Sequence, residues 1–230
     1  SVYDGSHFSI SVTNNESNVT GQYYYVGGLV GEAYAQGCDS NTKFIIENGS
    51  TSGIISGGYY VGGLAGYIGW DCGDEDIQIN NSHATGVIAG TDSYVGGLVG
   101  EANGLDINDS YATGNVSGDE DTGGLVGVNN DGTVNQSFAS GNVVTDNGKA
   151  GGLVGRNTDD AYIVKSFATG NVSGNSRVGG LTGANGGYIS DSYARGSVTG
   201  DNNVGGLSGR CGGGIEKSYA TGQVIGDSNV

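Results

Sequence analysis

The chain has 230 residues, of which 49 are Gly and none is Pro or Met, and 24 acidic against 8 basic side chains leave a formal charge of −16. The glycines follow no strict three-residue period, which excludes collagen, and the acid excess repels phosphate, which excludes nucleic acid as a partner. No apolar run is long enough to span a bilayer, and Ser1-Val2-Tyr3-Asp4 has neither the basic start nor the apolar stretch of a signal peptide, so the chain reads as soluble and as processed or excised from something larger. An acidic, lysine-poor surface suits a saline medium, and it equally suits a protein that must merely stay soluble.

In chain order, residues 1–22 read as a partial, degenerate coil, residues 23–95 as two coils with longer inserted loops, and residues 96–230 as regular coils of one continuous domain. The tripeptide GGL marks them. It begins at Gly27, Gly62, Gly96, Gly123, Gly151, Gly179 and Gly205, in steps of 35, 34, 27, 28, 28 and 26 residues. A second signature, most often SYATG, follows from Ser82, Ser110, Ser137, Ser166, Ser192 and Ser218, and a third short piece appears as Asn115-Val116-Ser117-Gly118 and Asn171-Val172-Ser173-Gly174.

A fixed period of this size signals a solenoid or a propeller, and a propeller blade needs about 40 residues, more than the compact steps supply. Three short strands cannot pair within one repeat, but each can pair in register with its equivalent one repeat later. The expectation is therefore an all-β, right-handed parallel β-solenoid with three short strands per coil and about seven to eight coils. Period-two alternation places Ser110, Ala112, Gly114 and Val116 inside and Tyr111, Thr113, Asn115 and Ser117 outside, with a strand column of Leu29, Leu64, Leu98, Leu125, Leu153, Leu181 and Leu207 in the core. The glycines are expected at corners, where positive φ or a close backbone neighbour disfavours a β-carbon. Gly97 and Gly124 should then tolerate substitution less well than a loop residue such as Asn129.

The pattern resembles the GLUG-motif repeats, through Gly-Leu-Val-Gly at 28–31, 97–100, 124–127 and 152–155 and the variants GLAG, GLTG and GLSG at the other three positions. The resemblance runs from about Val26 to Val230. It implies a bacterial or archaeal surface or secreted protein of adhesin-like kind, located outside the cell, in which such repeats are accessory and not catalytic. It transfers no catalytic residue and no cofactor.

Several residue groups are candidates for chemistry. Cys38 and Cys72 occupy equivalent loops of neighbouring coils and are expected to form a disulfide, two free thiols being the alternative, while Cys211 has no evident partner. Acidic turns containing Asp74, Asp76, Asp119 and Asp121 are calcium candidates or simply solvated turns, and they match neither an EF-hand nor the calcium-binding nonapeptide. Asn-x-Ser/Thr sequons at Asn15, Asn18, Asn48, Asn80, Asn108, Asn115, Asn135 and Asn171 are potential glycosylation sites, several of them generated by the repeat itself.

The outward column His83, Tyr111, Phe138, Phe167, Tyr193 and Tyr219 either stacks on itself or presents aromatics to a glycan or a protein partner. Beside it, Thr85, Thr113, Ser140, Thr169, Arg195 and Thr221 resemble the threonine arrays of ice-binding solenoids, interrupted by Arg195 and by the neighbouring Val87, Val144 and Gln223. Polysaccharide lyases and hydrolases share this architecture. They need convergent carboxylates, or a base beside calcium, and the repeat frame offers Asp106, Asp109 and Asp191 no partner at matching height. The sequence is thus read as a non-catalytic structural or adhesive module of a surface or secreted protein, with a self-associating extracellular filament subunit as the alternative.

Overall fold

The computed structural model describes residues 8–10, 18–35, 43–70 and 76–230. Every described strand lies in a parallel ladder whose neighbours come from preceding and following repeats. One ladder of eight strands runs from Phe8–Ile10 through Lys43–Glu47 and Asp76–Asn80 to Gly214–Glu216. A second, of seven, begins at Ser50–Thr51 and ends at Tyr219–Ala220, and a third, also of seven, begins at Val30–Ala35 and ends at Ser208–Cys211. The fourth sheet has 14 strands. It folds back on itself because the single strand Val198–Gly205 belongs to both of its arms. The described chain is an all-β parallel solenoid, and five turns separate Asp76–Asn80 from Gly214–Glu216.

Three strands per coil is corrected to five. Between Ser93 and Gly118 the chain forms Ser93–Gly96, Val99–Asn103, Asp106–Asn108, Tyr111–Ala112 and Val116–Gly118. The strand at Asp106 has only Ile107 as a buried apolar residue, so it lacks the apolar run by which a strand is recognised. The GGL leucine also lies in a bend between two strands and not in a strand. There its carbonyl serves two donors: Leu125 O accepts from Leu98 N at 2.8 Å and from Val99 N at 3.1 Å. Leu64, Leu98, Leu125, Leu153 and Leu181 are fully buried, so the column is a core column even though it turns a corner.

Around residue 112, Ser110, Ala112 and Val116 are buried and Thr113, Asn115 and Ser117 exposed, as expected, while Tyr111 and Gly114 are both half-buried. The main core joins the leucines to Val99, Ala102, Ile107 and Ala112 and their equivalents. A narrower core lies between the two arms of the folded sheet, where Val95 faces Val116 in one part and Val178 faces Val172 in another. Thr122 and Thr145, 3.5 Å apart through their hydroxyls, separate these two parts.

The glycines work differently from the expectation. The positive-φ corners are occupied by other residues: Asn81, Asp109, Gln136, Lys165, Asp191 and Lys217 before each SYATG serine, and Tyr25, Tyr60, Tyr94, Asp121, Arg177 and Asn203 before most GGL motifs. Among the described glycines only Gly104 has positive φ. What Gly97 provides is closeness, since a β-carbon there would lie 2.0 Å from Gly124 O and 2.7 Å from the Ala112 Cβ of its own coil. Coils that share amide hydrogen bonds at these bends leave no room for a side chain.

Asn129 is not a loop residue. It lies in the strand Val126–Asn130 with no exposed surface, in a ladder of side-chain amides in which Asn129 Nδ2 donates to Asn157 Oδ1 and Asn157 Nδ2 to Asn185 Oδ1, both at 2.9 Å. The same amides also reach the turn carbonyls of Gly132, Ala161 and Gly187. A polar side chain is stable here because its donors are matched within the ladder.

Candidate functional site

The outward aromatic column is set by the register of the second ladder, which pairs His83 with Tyr111, Tyr111 with Phe138, Phe138 with Phe167, Phe167 with Tyr193 and Tyr193 with Tyr219. Ring centroids from His83 to Tyr193 are 4.8 to 5.0 Å apart, and the planes there are within 7° of parallel. That spacing matches the distance between adjacent strands, about 4.8 Å, so the backbone repeat itself brings the rings into contact. Each ring face is covered by the next ring, and the column offers its edges outward. The Arg195 guanidinium carbon is 4.8 Å from the centroid of the Tyr193 ring. The neighbouring Thr113, Ser140 and Thr169 are exposed, as are Val87 and Val144.

Immediately inside the column runs a serine ladder. Ser82 N donates to Ser110 Oγ, and the same bond, 3.1 Å long, links Ser110 to Ser137, Ser137 to Ser166, Ser166 to Ser192 and Ser192 to Ser218. Each hydroxyl donates in turn to the carbonyl two residues earlier, as Ser110 does to Asn108 O at 2.7 Å. The serine of SYATG is therefore a structural connector between coils.

The sequence model of the GLUG motif matches residues 91–117, one full turn that runs from the approach to GGL through SYATG to the third short piece. This turn carries the GLUG motif. A curated relative, a halomucin of Haloquadratum walsbyi, is 41% identical over 104 residues, which covers 41% of this chain. The chain spans about 1% of the length of that relative.

In the GLUG coils the acidic candidates are spoken for by neighbours. The Asp76 carboxylate accepts from Lys43 Nζ at 2.6 Å and from Gln78, and it is held below its ordinary range chiefly by the Lys43 hydrogen bond. Asp119 accepts from Asn147 and lies on an exposed turn. Asp121 is buried and pairs with Lys149 at 2.8 Å and Arg156 at 3.1 Å. Asp74 lies outside the described residues. Among the described residues no three His, Cys, Asp or Glu side chains converge.

Cys38 and Cys72 also lie outside the described residues, while Cys211 is an exposed free thiol whose Sγ is 3.8 Å from Asn185 Nδ2, in register with the asparagine ladder. Of the sequons, Asn15 is outside the described residues. Asn80, Asn108 and Asn135 use their amides along one coil-to-coil ladder, Asn108 Nδ2 donating to Asn80 Oδ1 at 3.1 Å and Asn135 Nδ2 to Asn108 Oδ1 at 3.3 Å. Asn18, Asn115 and Asn171 are exposed and use only Oδ1 in the bonds formed, as acceptors from backbone N–H groups of the next coil. Asn48 occupies a positive-φ corner.

The GLUG spacing does not single out a second aromatic group that the structure assembles. Tyr25, Tyr60 and Tyr94 stack with both spacings at 4.8 Å, Tyr24 stacks on Tyr59 at 5.2 Å, and Tyr67 meets Tyr60 edge-on at 5.7 Å. Burial, with Glu101 adding, pushes the Tyr60 hydroxyl up to about 12. Burial also raises the Glu101 carboxyl. The available signal is positional: these tyrosines fall two residues before GGL in the first three repeats, where the later ones have Asp121, Lys149, Arg177 and Asn203.

Proposed function

We propose that this chain is a non-catalytic structural segment of a surface or secreted protein, extending that protein outside the cell and presenting side chains along regular walls for adhesion. The observation that carries the reading is the coil-to-coil registry, which holds from Asp76–Asn80 to Gly214–Glu216 while aromatic, serine and asparagine side chains repeat in vertical ladders. Such repetition extends length and stiffness, because every added coil makes the same contacts with its neighbour. The similarity to a relative named halomucin supports a surface-type protein. An acidic exterior keeps such a segment dispersed in solution.

The test is to label intact cells of the source organism with antibody raised against residues 76–230, alongside cells opened by detergent. Labelling of intact cells, lost after brief external proteolysis, is the expected result. Labelling that requires opened cells overturns the reading. Incubation of the purified chain with acidic and neutral polysaccharides should release no reducing ends and no unsaturated products, and turnover of any of them would remove the non-catalytic assignment.

A further inference from the structure

Of the 8 basic side chains in the protein, four line a single cleft of about 630 Å³ that includes none of the aromatic column: Lys149, Arg156, Arg177 and Arg210. Their convergence follows from the register. Arg156, Ala184 and Arg210 succeed one another in one ladder, so the α-carbons of the two arginines are about 10 Å apart, twice the strand spacing, with an alanine between them. Lys149 and Arg177 occupy the position two residues before GGL in adjacent coils. The cleft exists because Ala184 stands where an earlier coil has Tyr67 and a later one Arg210.

Asp121 offsets one of the four positive charges, pairing with both Lys149 and Arg156. Arg177 and Arg210 form no ion pair among the described residues, and the Arg156 Nε–H is buried without an acceptor. The same cleft is also lined by Asp131, Asp159 and Asp160 and by Thr158, so it holds carboxylates and a hydroxyl as well as cations. A ligand that fits such a lining needs an anionic group for the guanidinium forks and hydroxyl donors for the carboxylate oxygens. An acidic peptide would set its own carboxylates against Asp159 and Asp160. A sugar acid offers both kinds of group.

We propose that this cleft binds a uronate unit of an acidic polysaccharide, its carboxylate held by Arg177 and Arg210 and its hydroxyls by Asp159 and Asp160. The site is separate from the surface-segment reading and does not depend on it.

Titration calorimetry of the whole chain with trigalacturonate tests the site, with maltotriose, a sulfated trisaccharide and triglutamate as comparison ligands. Trigalacturonate should bind at least about tenfold more tightly than each of the three. Arg210→Gln should weaken it by at least about tenfold. Ala184→Tyr should abolish it by filling the cleft, with the melting temperature retained because tyrosine already occupies this column at Tyr67. Arg195→Gln, on the aromatic wall, should bind as the parent does. Absence of trigalacturonate binding, equal binding of maltotriose, tighter binding of triglutamate or the sulfated sugar, or full binding by a folded Ala184→Tyr variant would each overturn the assignment.

Discussion

The amide of Ser110 donates to the hydroxyl of Ser137 across 3.1 Å, and both groups are buried. Ser137 Oγ–H donates to Asn135 O at 2.8 Å, so one hydroxyl satisfies a donor in the preceding coil and an acceptor in its own. Ser137→Ala leaves the Ser110 N–H without a partner, and an unsatisfied buried group costs about 1–3 kcal/mol. Urea unfolding followed by circular dichroism should show a loss in that range. A loss no larger than that of Ser140→Ala, at an exposed site one ladder further out, would contradict the connector role.

At the corners, conformation and crowding fall on different residues, and substitutions separate them. Gly97→Ala drives a methyl to 2.0 Å from Gly124 O, which only backbone displacement relieves, and should cost at least about 3 kcal/mol. Lys165 has φ 49 and an exposed side chain, so Lys165→Gly exchanges left-handed strain for chain entropy and should change stability by under about 1 kcal/mol. Thermal melts of both variants should rank them in that order.

Burial raises the Glu101 carboxyl above its ordinary value, Arg156 opposing and Asp121 adding to the effect. Because the folded protein holds this proton more tightly than the unfolded chain, stability from this group is complete below its unfolded value of about 4.3 and is lost as pH rises through the raised folded value. Glu101→Gln removes the loss. The variant should therefore match the parent near pH 3.5 and exceed it at pH 7, measured as the midpoint of urea unfolding at each pH.

The solenoid was legible because a stacked fold repeats its core demands at one period, and the leucines and SYATG serines report that period directly. The division of each coil into five strands was not, since a bend at the GGL leucine splits one piece into Ser93–Gly96 and Val99–Asn103, and Asp106–Asn108 has a single buried apolar residue. Nor did residue type reveal the left-handed corners. Gln136 and Lys165 have no special preference for that conformation, and the corner falls at the residue that precedes each serine of the ladder, where Gln136 N and Lys165 N bond to the next coil. The basic cleft was hidden because its four cations come from two columns that begin as tyrosine and glutamate. Only register brings Lys149, Arg156, Arg177 and Arg210 to one place.

The buried asparagines couple neighbouring coils in a way that single substitutions would misstate. Asn157 receives from Asn129 and donates to Asn185, and Asn185 also reaches the Gly187 carbonyl. Removing either amide leaves buried polar atoms on the other, so Asn157→Ala and Asn185→Ala each report a penalty that the double variant incurs only once for their shared bond. The double variant should be more stable than the sum of the two losses predicts, by about 0.5–1.5 kcal/mol. Additive losses in a urea double-mutant cycle would mean that each amide serves its own turn alone and that the ladder carries no coupling between coils.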